Sequence, residues 1–247
     1  MERKETFVLV HAAWLGGWQW DATARLLTGN GHKVFAPDLP GHGSDATPAA
    51  AIVMEHYVAA ITTLLDSLDE PVILVGHSFN GITVSRVAEL RPDKVKKLVF
   101  LTAFLLPQGA SFLSAVQGVE GSSAVDHFYL SEDKTCAFVS EQEMHHAFAH
   151  DIPLEVFDQA KAYIVPEPAA PLTYQLEISD AVLGAIPKFY IECTEDHAIP
   201  LAVQRAMYTG KVKRSLFAER KPHPEFLATG KTCGSPAGNC FSAITYR

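Results

Sequence analysis

The stretch that decides the fold is Pro71-Val72-Ile73-Leu74-Val75-Gly76-His77-Ser78-Phe79-Asn80-Gly81-Ile82-Thr83-Val84. Its first residues are apolar at successive positions, which is typical of a parallel strand covered on both faces. A Gly-x-Ser-x-Asn-Gly turn follows directly, and the residues after the turn have a helical pattern. A strand that passes through such a turn into a helix lifts the serine hydroxyl clear of the sheet. We therefore predict that Ser78 is a nucleophile.

The surroundings of Ser78 favour this interpretation over a simple helix N-cap. The serine lies at a helix N-terminus, whose free N–H groups stabilise developing negative charge. Asn80 occupies the position where this turn usually has a second glycine. We interpret Asn80 as a variant, because asparagine tolerates left-handed backbone conformations and Gly81 follows it.

The rest of the chain alternates short apolar runs with amphipathic stretches. This alternation predicts an α/β fold with a doubly wound, mostly parallel sheet. The predicted strands are residues 7–10, 33–36, 71–75, 97–101, 188–192 and 214–218. The predicted helices are residues 18–27, 56–68, 78–90 and 201–208.

We expect residues 1–247 to form one domain. The alternation breaks between about Pro107 and Ala185, which predicts an insertion that forms a lid over the carboxyl edge of the sheet. Ligand sites of open α/β sheets lie at that edge. Residues 230–247 carry turn formers without a helical period, and we expect coil there.

A serine nucleophile needs a base and a third group that orients the base, in the chain order Ser, acid, His. Asp196 follows the strand at 188–192 directly and is the predicted acid. Glu195 is the competing candidate, and Glu192 is expected inside the strand. The oxyanion donors should be the Phe79 N–H and an N–H of the loop after the first strand, His11-Ala12-Ala13-Trp14.

Composition narrows the class of protein. The chain has 247 residues, of which 48% are apolar, and a net charge of −8. A negative net charge argues against a nucleic-acid partner, which would require a basic surface.

We find no signal-peptide pattern and no apolar run long enough to span a membrane, so we expect a cytoplasmic monomer or homodimer with no membrane partner. The four cysteines lack metal-ligand or paired spacing, which favours free thiols.

The chain resembles the α/β-hydrolase superfamily, and more closely its branch of plant methyl-ester esterases, hydroxynitrile lyases and small bacterial esterases. The stretches that carry the resemblance are Val8-Leu9-Val10-His11-Ala12-Ala13-Trp14-Leu15-Gly16-Gly17-Trp18, Ala36-Pro37-Asp38-Leu39-Pro40-Gly41-His42-Gly43, Gly76 to Gly81, and Cys193-Thr194-Glu195-Asp196-His197-Ala198-Ile199-Pro200. The resemblance implies that Ser78 is the nucleophile, that Asp196 is the triad acid, and that the backbone amides of Ala13 and Phe79 form the oxyanion hole.

Two departures from the lyases favour an esterase. Ala12 stands where esterases of this branch usually have glycine and lyases have threonine. No lysine directly follows the candidate catalytic histidine, as it does in those lyases.

The chain departs most from the family at the candidate catalytic histidine. In the family, this histidine follows the last strand and precedes a long closing helix. His223 is the only histidine beyond the predicted strand at 214–218, and no helical pattern follows it. Permitted codons for Arg220–Gly234, read one base later, can yield Ala-Ser-His-Thr-Pro-Asn-Phe-Ser-Gln-Pro-Glu-Lys-Leu-Ala, which is close to the pattern of this branch. We hypothesise that the chain after about Glu219 is translated in a shifted frame.

The sequence thus predicts a serine carboxylesterase that acts on small to medium apolar carboxylic esters through Ser78, Asp196 and His223. We expect it to need no cofactor and no metal. Five aromatic residues of the lid are candidates to line an apolar pocket: Phe112, Phe128, Tyr129, Phe148 and Tyr163. The alternatives are a hydroxynitrile lyase and a catalytically impaired, ligand-binding hydrolase fold.

Overall fold

A computed structural model describes residues 4–117 and 128–218 of the chain. These ranges contain nine strands: β1 (Thr6–Val10), β2 (Lys33–Phe35), β3 (Val72–His77), β4 (Val95–Leu101), β5 (Phe128–Leu130), β6 (Cys136–Val139), β7 (Glu167–Pro168), β8 (Lys188–Cys193) and β9 (Arg214–Ala218). Six of them pair in parallel in the order β2-β1-β3-β4-β8-β9. The other three form a separate antiparallel sheet.

The same ranges contain nine α-helices: α1 (Asp21–Gly29), α2 (Met54–Asp66), α3 (Gly81–Leu90), α4 (Phe112–Val116), α5 (Glu141–Phe148), α6 (Leu154–Ala160), α7 (Ala169–Leu172), α8 (Asp180–Ala185) and α9 (Leu201–Tyr208). Over the described part of the chain, no helix combines the length and apolarity that crossing a membrane requires.

Both faces of the main sheet are buried, which explains the continuous apolar runs in its strands. In β1, Val8 and Val10 belong to a large core cluster that also contains residues of α2 and α3. Phe7 and Leu9 face the other way, into a second cluster with Leu27 of α1. Successive side chains of a strand point to opposite faces, so each strand must be apolar throughout. The predicted α/β fold with a doubly wound parallel sheet is confirmed.

The strand order brings two loops together at one edge of the sheet. β1 is the second strand along the sheet and β3 is its neighbour on the side away from β2. The chain therefore passes from β1 to β2 on one side of this strand pair, and from β3 to β4 on the other side. The crevice at the carboxyl ends of two such strands is where ligands bind in open α/β sheets. Residues 11–14 and Ser78 lie at this switch point.

The chain between β4 and β8 carries the antiparallel sheet of β5, β6 and β7 together with α4 to α8. We refer to residues 107–185 as the insert. Helical patches were expected here, but the three-stranded sheet was not predicted, because its strands are only two to four residues long. The role of the insert as a lid remains a prediction. His223, the proposed frame shift after Glu219 and the predicted coil at 230–247 lie outside the described residues.

Candidate active site

Ser78 lies at a sharp turn directly after β3. Its φ is +53°, in the left-handed region that residues with side chains rarely occupy. The Ser78 carbonyl accepts a hydrogen bond from the Phe104 N–H at 3.0 Å, so the chain after β4 helps to hold the turn. Ser78 opens a short helical turn, Ser78–Asn80, which leads into α3. The serine therefore sits in the strained strand-to-helix turn that its sequence predicts.

Two glycines allow strand and helix to approach each other at this turn. A Cβ on Gly76 would lie 2.6 Å from Cγ2 of Val84, and a Cβ on Gly81 would lie 2.5 Å from the carbonyl oxygen of Phe104. Both distances are shorter than real Cβ contacts. Only glycine fits at these two positions without displacing a neighbour.

Asn80 has a different role from the one its backbone tolerance suggested. Its φ is −73°, so the left-handed residue of the turn is Ser78 and not Asn80. The Asn80 side chain is fully buried; its Nδ2 donates to the His11 carbonyl at 2.7 Å, and its Oδ1 accepts from Thr83 Oγ1 at 2.6 Å. Asn80 thus links the nucleophile turn to the loop after β1.

Three successive N–H groups of that loop differ in their partners. The Ala12 N–H donates to Oε1 of Gln19 at 2.7 Å, and the Trp14 N–H donates to Oε2 of Glu167 at 2.9 Å. No hydrogen bond to the Ala13 N–H occurs within the described residues, and Ala13 lines the same cavity as Ser78. An N–H that is held in place and left unpaired beside a serine can bind an oxyanion.

Asp196 also opens onto this cavity. One of its carboxylate oxygens accepts the N–H groups of Ala198 and Ile199 at 2.8 and 2.9 Å. The other oxygen accepts the hydroxyl of Thr102, at the end of β4. The side chain is nearly buried. These contacts fix the carboxylate in place at the wall of the cavity.

The two competing carboxylates are placed differently. Glu195 is exposed. Glu192 is buried in β8, as expected, and its carboxylate accepts hydrogen bonds from Arg205 at 2.7 Å and from Tyr208 Oη at 2.6 Å. Neither of these two glutamates is part of the cavity lining, whereas Asp196 is.

The cavity has about 450 Å³ of empty space, which includes its open mouth. The walls are mainly apolar, and among the described lining residues the only carboxylate is that of Asp196. The lining residues are Ala12, Ala13, Trp14, Leu15, His77, Ser78, Thr102, Met144, Phe148, Ala149, Phe157, Asp196, Ala198 and Ile199.

Of the five aromatic candidates of the insert, Phe148 lines this cavity and the other four do not. Phe112 is buried against Phe79 and Phe104, whereas Tyr129 and Tyr163 are more than half exposed. Phe128 lies at the edge of the core cluster and does not reach the cavity. Met144 and Phe157 line the cavity instead. The helical pattern alone did not indicate which apolar residues of the insert face the sheet.

A buried polar cluster adjoins the loop at residues 11–14, which contains the candidate oxyanion donor Ala13. Glu167 of the insert is completely buried, and its carboxylate accepts hydrogen bonds from His42 Nε2 at 2.9 Å and Tyr57 Oη at 3.0 Å, besides the Trp14 N–H. Burial raises the pKa of Glu167, but the charge of His42 and the hydrogen bonds outweigh it, and the net shift is downward. Glu167 is therefore an ionised carboxylate inside the protein.

The pKa values of two histidines in this cluster are shifted in opposite directions. Burial lowers the pKa of His42, but the charge of Glu167 and its hydrogen bond dominate and raise it overall. Both ring nitrogens of His42 face oxygens, since Nδ1 lies 3.1 Å from the Pro40 carbonyl. Burial, followed by the charge of His42, lowers the pKa of His11 to about 4. His11 is thus neutral, and its Nε2 accepts the Leu39 N–H.

Sequence reasoning missed several residues that hold this site together. Gln19, Thr102 and Glu167 all bond to predicted site residues or to their neighbours, and none was singled out. The burial of Glu167 and its hydrogen bonds are visible only in the structure, so Val165-Pro166-Glu167-Pro168 carries no signal for this role in the sequence.

The parallel sheet, the strained turn at Ser78 and the hydrogen-bonded carboxylate of Asp196 are together typical of an α/β hydrolase. The family model described as "Alpha/beta hydrolase family" matches residues 7–223, and the chain belongs to this family.

Its relatives lie in the branch suggested by the sequence motifs. The chain is 33% identical over 231 residues to putative methylesterase 11 of Arabidopsis thaliana, which covers 87% of this chain; the chain spans only 59% of that longer protein. It is 32% identical to the pyrethroid hydrolase of Sphingobium wenxiniae, over 90% of this chain and 84% of the relative. It is 31% identical to the alpha-hydroxynitrile lyase of Arabidopsis thaliana, over 81% and 82%.

A solved structure shares the fold. The crystal structure of a pyrethroid hydrolase from Sphingobium faniae aligns with a TM-score of 0.81 at 28% identity, over 91% of this chain and 92% of that one.

Proposed function

We propose that this protein is a cofactor-independent carboxylesterase that hydrolyses small to medium apolar carboxylic esters through an acyl-enzyme. The observation that carries the proposal is a single apolar cavity onto which Ser78, Asp196 and the backbone of Ala13 all open. Relatives named methylesterase and pyrethroid hydrolase support the reaction class.

In the proposed mechanism, Ser78 Oγ attacks the ester carbonyl while His223 accepts the hydroxyl proton. Asp196 orients the imidazole and stabilises the imidazolium that forms. The oxyanion of the tetrahedral intermediate accepts hydrogen bonds from the Ala13 and Phe79 N–H groups. The imidazolium then protonates the departing alcohol, and a water activated by the same base releases the acid.

The lining of the cavity limits the substrates we propose. Met144, Phe148 and Phe157 come from the insert and line the same cavity as Ser78. A charged acyl or alcohol group would lose its hydration there without gaining an ionic partner, apart from the carboxylate of Asp196. Uncharged esters with apolar substituents are therefore favoured over charged ones.

The direct test combines turnover with active-site labelling. We expect the protein to hydrolyse p-nitrophenyl acetate and butyrate and to be labelled at Ser78 by a fluorophosphonate. Ser78→Ala should abolish both while leaving the melting temperature close to that of the wild type. Ser85→Ala is a matched control, because Ser85 is buried in α3 and bonds only to the Gly81 carbonyl in the described structure. Turnover by Ser78→Ala within tenfold of the wild type would exclude Ser78 as the nucleophile.

A hydroxynitrile lyase is the second candidate function, supported by the 31% identical relative of that name. Within the described residues, no lysine lines the cavity, and Ala12 provides no hydroxyl there. A lyase that releases cyanide needs a group to stabilise the anion, so these features favour the esterase. Cleavage of mandelonitrile faster than of any simple ester would reverse the order of the two candidates.

The third candidate is a hydrolase fold that binds ligands without turnover because its C-terminal part is altered. We keep the hypothesis of a shifted frame after Glu219 as a proposal, and the nucleotide sequence of the gene at that point tests it. Restoring the frame should add a C-terminal helix and raise both activity and melting temperature. A cytoplasmic location and a monomeric or homodimeric state are likewise proposals.

A further inference from the structure

We propose that Glu167 is a positioning residue for catalysis: from the insert, its buried carboxylate fixes the loop that carries the oxyanion donor. The inference rests on the proposed esterase function, because it assigns the Ala13 N–H to the oxyanion hole. It adds a residue that lies far from Ser78 in sequence and does not touch the cavity.

Glu167 is held by three donors from three different parts of the fold. Oε2 accepts the Trp14 N–H after β1 and Nε2 of His42, both at 2.9 Å, while Oε1 accepts Tyr57 Oη of α2 at 3.0 Å. The carboxylate is completely buried, and His42 and Tyr57 are almost completely buried as well. Such a carboxylate has little freedom to move, and neither does any group bonded to it.

Trp14, the residue that follows the oxyanion donor, is fixed by the insert at three points. Its N–H is bound by Glu167, its carbonyl accepts the Val165 N–H at 2.9 Å, and its indole Nε1 donates to the Ala137 carbonyl at 3.0 Å. Its φ is +62°, an unfavourable conformation for a tryptophan. Strain of this kind costs on the order of 1–3 kcal/mol and persists only where the surroundings enforce it.

This conformation directs the peptide N–H groups of the loop in different directions. The Ala12 N–H donates to Gln19 and the Trp14 N–H donates to Glu167, whereas the Ala13 N–H has no hydrogen-bond partner among the described residues and Ala13 lines the cavity. Releasing Trp14 would let the loop relax toward an ordinary conformation and would turn the Ala13 N–H away from the oxyanion. Glu167 therefore acts on the reaction through Trp14, without contact to the substrate.

An amide is a poor replacement for the carboxylate in this position. Both oxygens of Glu167 accept hydrogen bonds, and one of them pairs with His42. In Glu167→Gln, an NH₂ group would face either Tyr57 or the two donors on Oε2, and the charge of His42 would lose its partner. Glu167→Gln therefore keeps the size of the side chain but removes one acceptor.

The experiment compares Glu167→Gln with Glu177→Gln, an exposed glutamate of the same insert that pairs with Arg86. We expect Glu167→Gln to lower kcat for p-nitrophenyl acetate by about 10²–10³, the usual cost of one oxyanion donor, with KM within about twofold. Amide hydrogen exchange in the peptide that covers residues 11–17 should accelerate. Glu177→Gln should leave both quantities unchanged.

A second variant covers the case in which Glu167→Gln does not fold. Tyr57→Phe removes one donor and leaves the pair of Glu167 and His42 intact, and we expect a kcat loss of about tenfold with unchanged KM. A kcat within threefold of the wild type in the folded variants, or unchanged exchange at residues 11–17, would overturn the inference. If the wild type hydrolyses no ester, the proposed function fails, and hydrogen exchange alone then decides whether Glu167 holds the loop.

Discussion

At the scale of single residues, backbone strain is concentrated at the candidate site. Four residues other than glycine have positive φ in the described ranges, and three of them line the cavity: Trp14, Ser78 and Thr102. Trp14 directly follows Ala13, Ser78 carries the candidate nucleophile itself, and Thr102 donates a hydrogen bond to Asp196, so each adjoins a group that we assign to catalysis. Strained residues cluster where the rest of the structure fixes reactive groups in place.

The identity of the triad acid can be tested by two neighbouring substitutions. Asp196→Asn should lower kcat for p-nitrophenyl acetate by about 10⁴, because the imidazole would lose the partner that sets its tautomer. The asparagine oxygen can still accept the Ala198 and Ile199 N–H groups, but an NH₂ group then replaces the carboxylate oxygen that accepts the Thr102 hydroxyl. Steady-state kinetics measures the effect.

The matched control is Glu195→Gln at the adjacent position, where the side chain is exposed. We expect this variant to keep the activity of the wild type within about threefold. A larger loss in Glu195→Gln than in Asp196→Asn would show that the wrong carboxylate has been assigned.

At the scale of secondary-structure elements, the packing of α3 on the chain after β4 supports the serine turn. A Cβ on Gly81 would meet the carbonyl oxygen, N and carbonyl carbon of Phe104 at 2.5, 2.8 and 3.0 Å. These are backbone atoms, and the Phe104 N–H is bonded to the Ser78 carbonyl. Any shift that accommodates a methyl group at Gly81 must therefore also move Ser78.

We predict that Gly81→Ala destabilises the protein by about 1–3 kcal/mol and also lowers kcat. Gly184→Ala in α8 is the control, because a Cβ there has no neighbour within 4 Å. Alanine favours helix over glycine by up to about 1 kcal/mol, so this variant should be as stable as the wild type or slightly more stable. Urea denaturation measures both. Equal stability of the two variants would contradict the packing argument.

Sequence patterns predicted the elements of the main sheet well, because each buried strand is a continuous apolar run. The motif around Ser78 also predicted its turn, since only a few residue types satisfy that geometry. The sheet formed by β5, β6 and β7 was not predictable, because its short strands show no alternation and depend on pairing with each other. Glu167 was missed for a related reason: its three partners are 110 to 153 residues away in sequence.

At the scale of the whole molecule, the insert and the sheet form one structure around the cavity. Residues of the insert such as Phe157 and Leu172 belong to the same core cluster as Val8 and Leu74 of the main sheet. Trp14 and Glu167 connect the two parts by hydrogen bonds. The loop at residues 11–14, to which we assign the oxyanion donor Ala13, is thus held between them, and its position depends on both.

The buried histidines make the stability of this assembly dependent on pH in two ways. The pKa of His11 is lowered to about 4 by burial and by the charge of His42, so the unfolded chain binds more protons between pH 4 and about 6.5. Stability should therefore fall as the pH decreases through that range.

The pKa of His42 is raised overall, although burial opposes this shift. Its contribution is complete below about pH 6.5 and is lost as the pH rises through the folded-state value.

These opposite shifts predict that His11 and His42 together favour folding most strongly near pH 6.5. The free energy of unfolding, measured by urea denaturation from pH 4.5 to 9, should depend less on acid pH in His11→Asn and less on alkaline pH in His42→Gln. Burial raises the pKa of Glu167, but the charge of His42 outweighs burial, so this pKa is lowered overall. The ionised carboxylate therefore adds stability above about pH 4.5, and this stability is lost as the pH falls through the folded-state pKa. The decisive comparison is the difference in the free energy of unfolding between the wild type and His42→Gln at pH 6 and at pH 9. If this difference is the same at both pH values, His42 does not gain its proton from the pairing with Glu167.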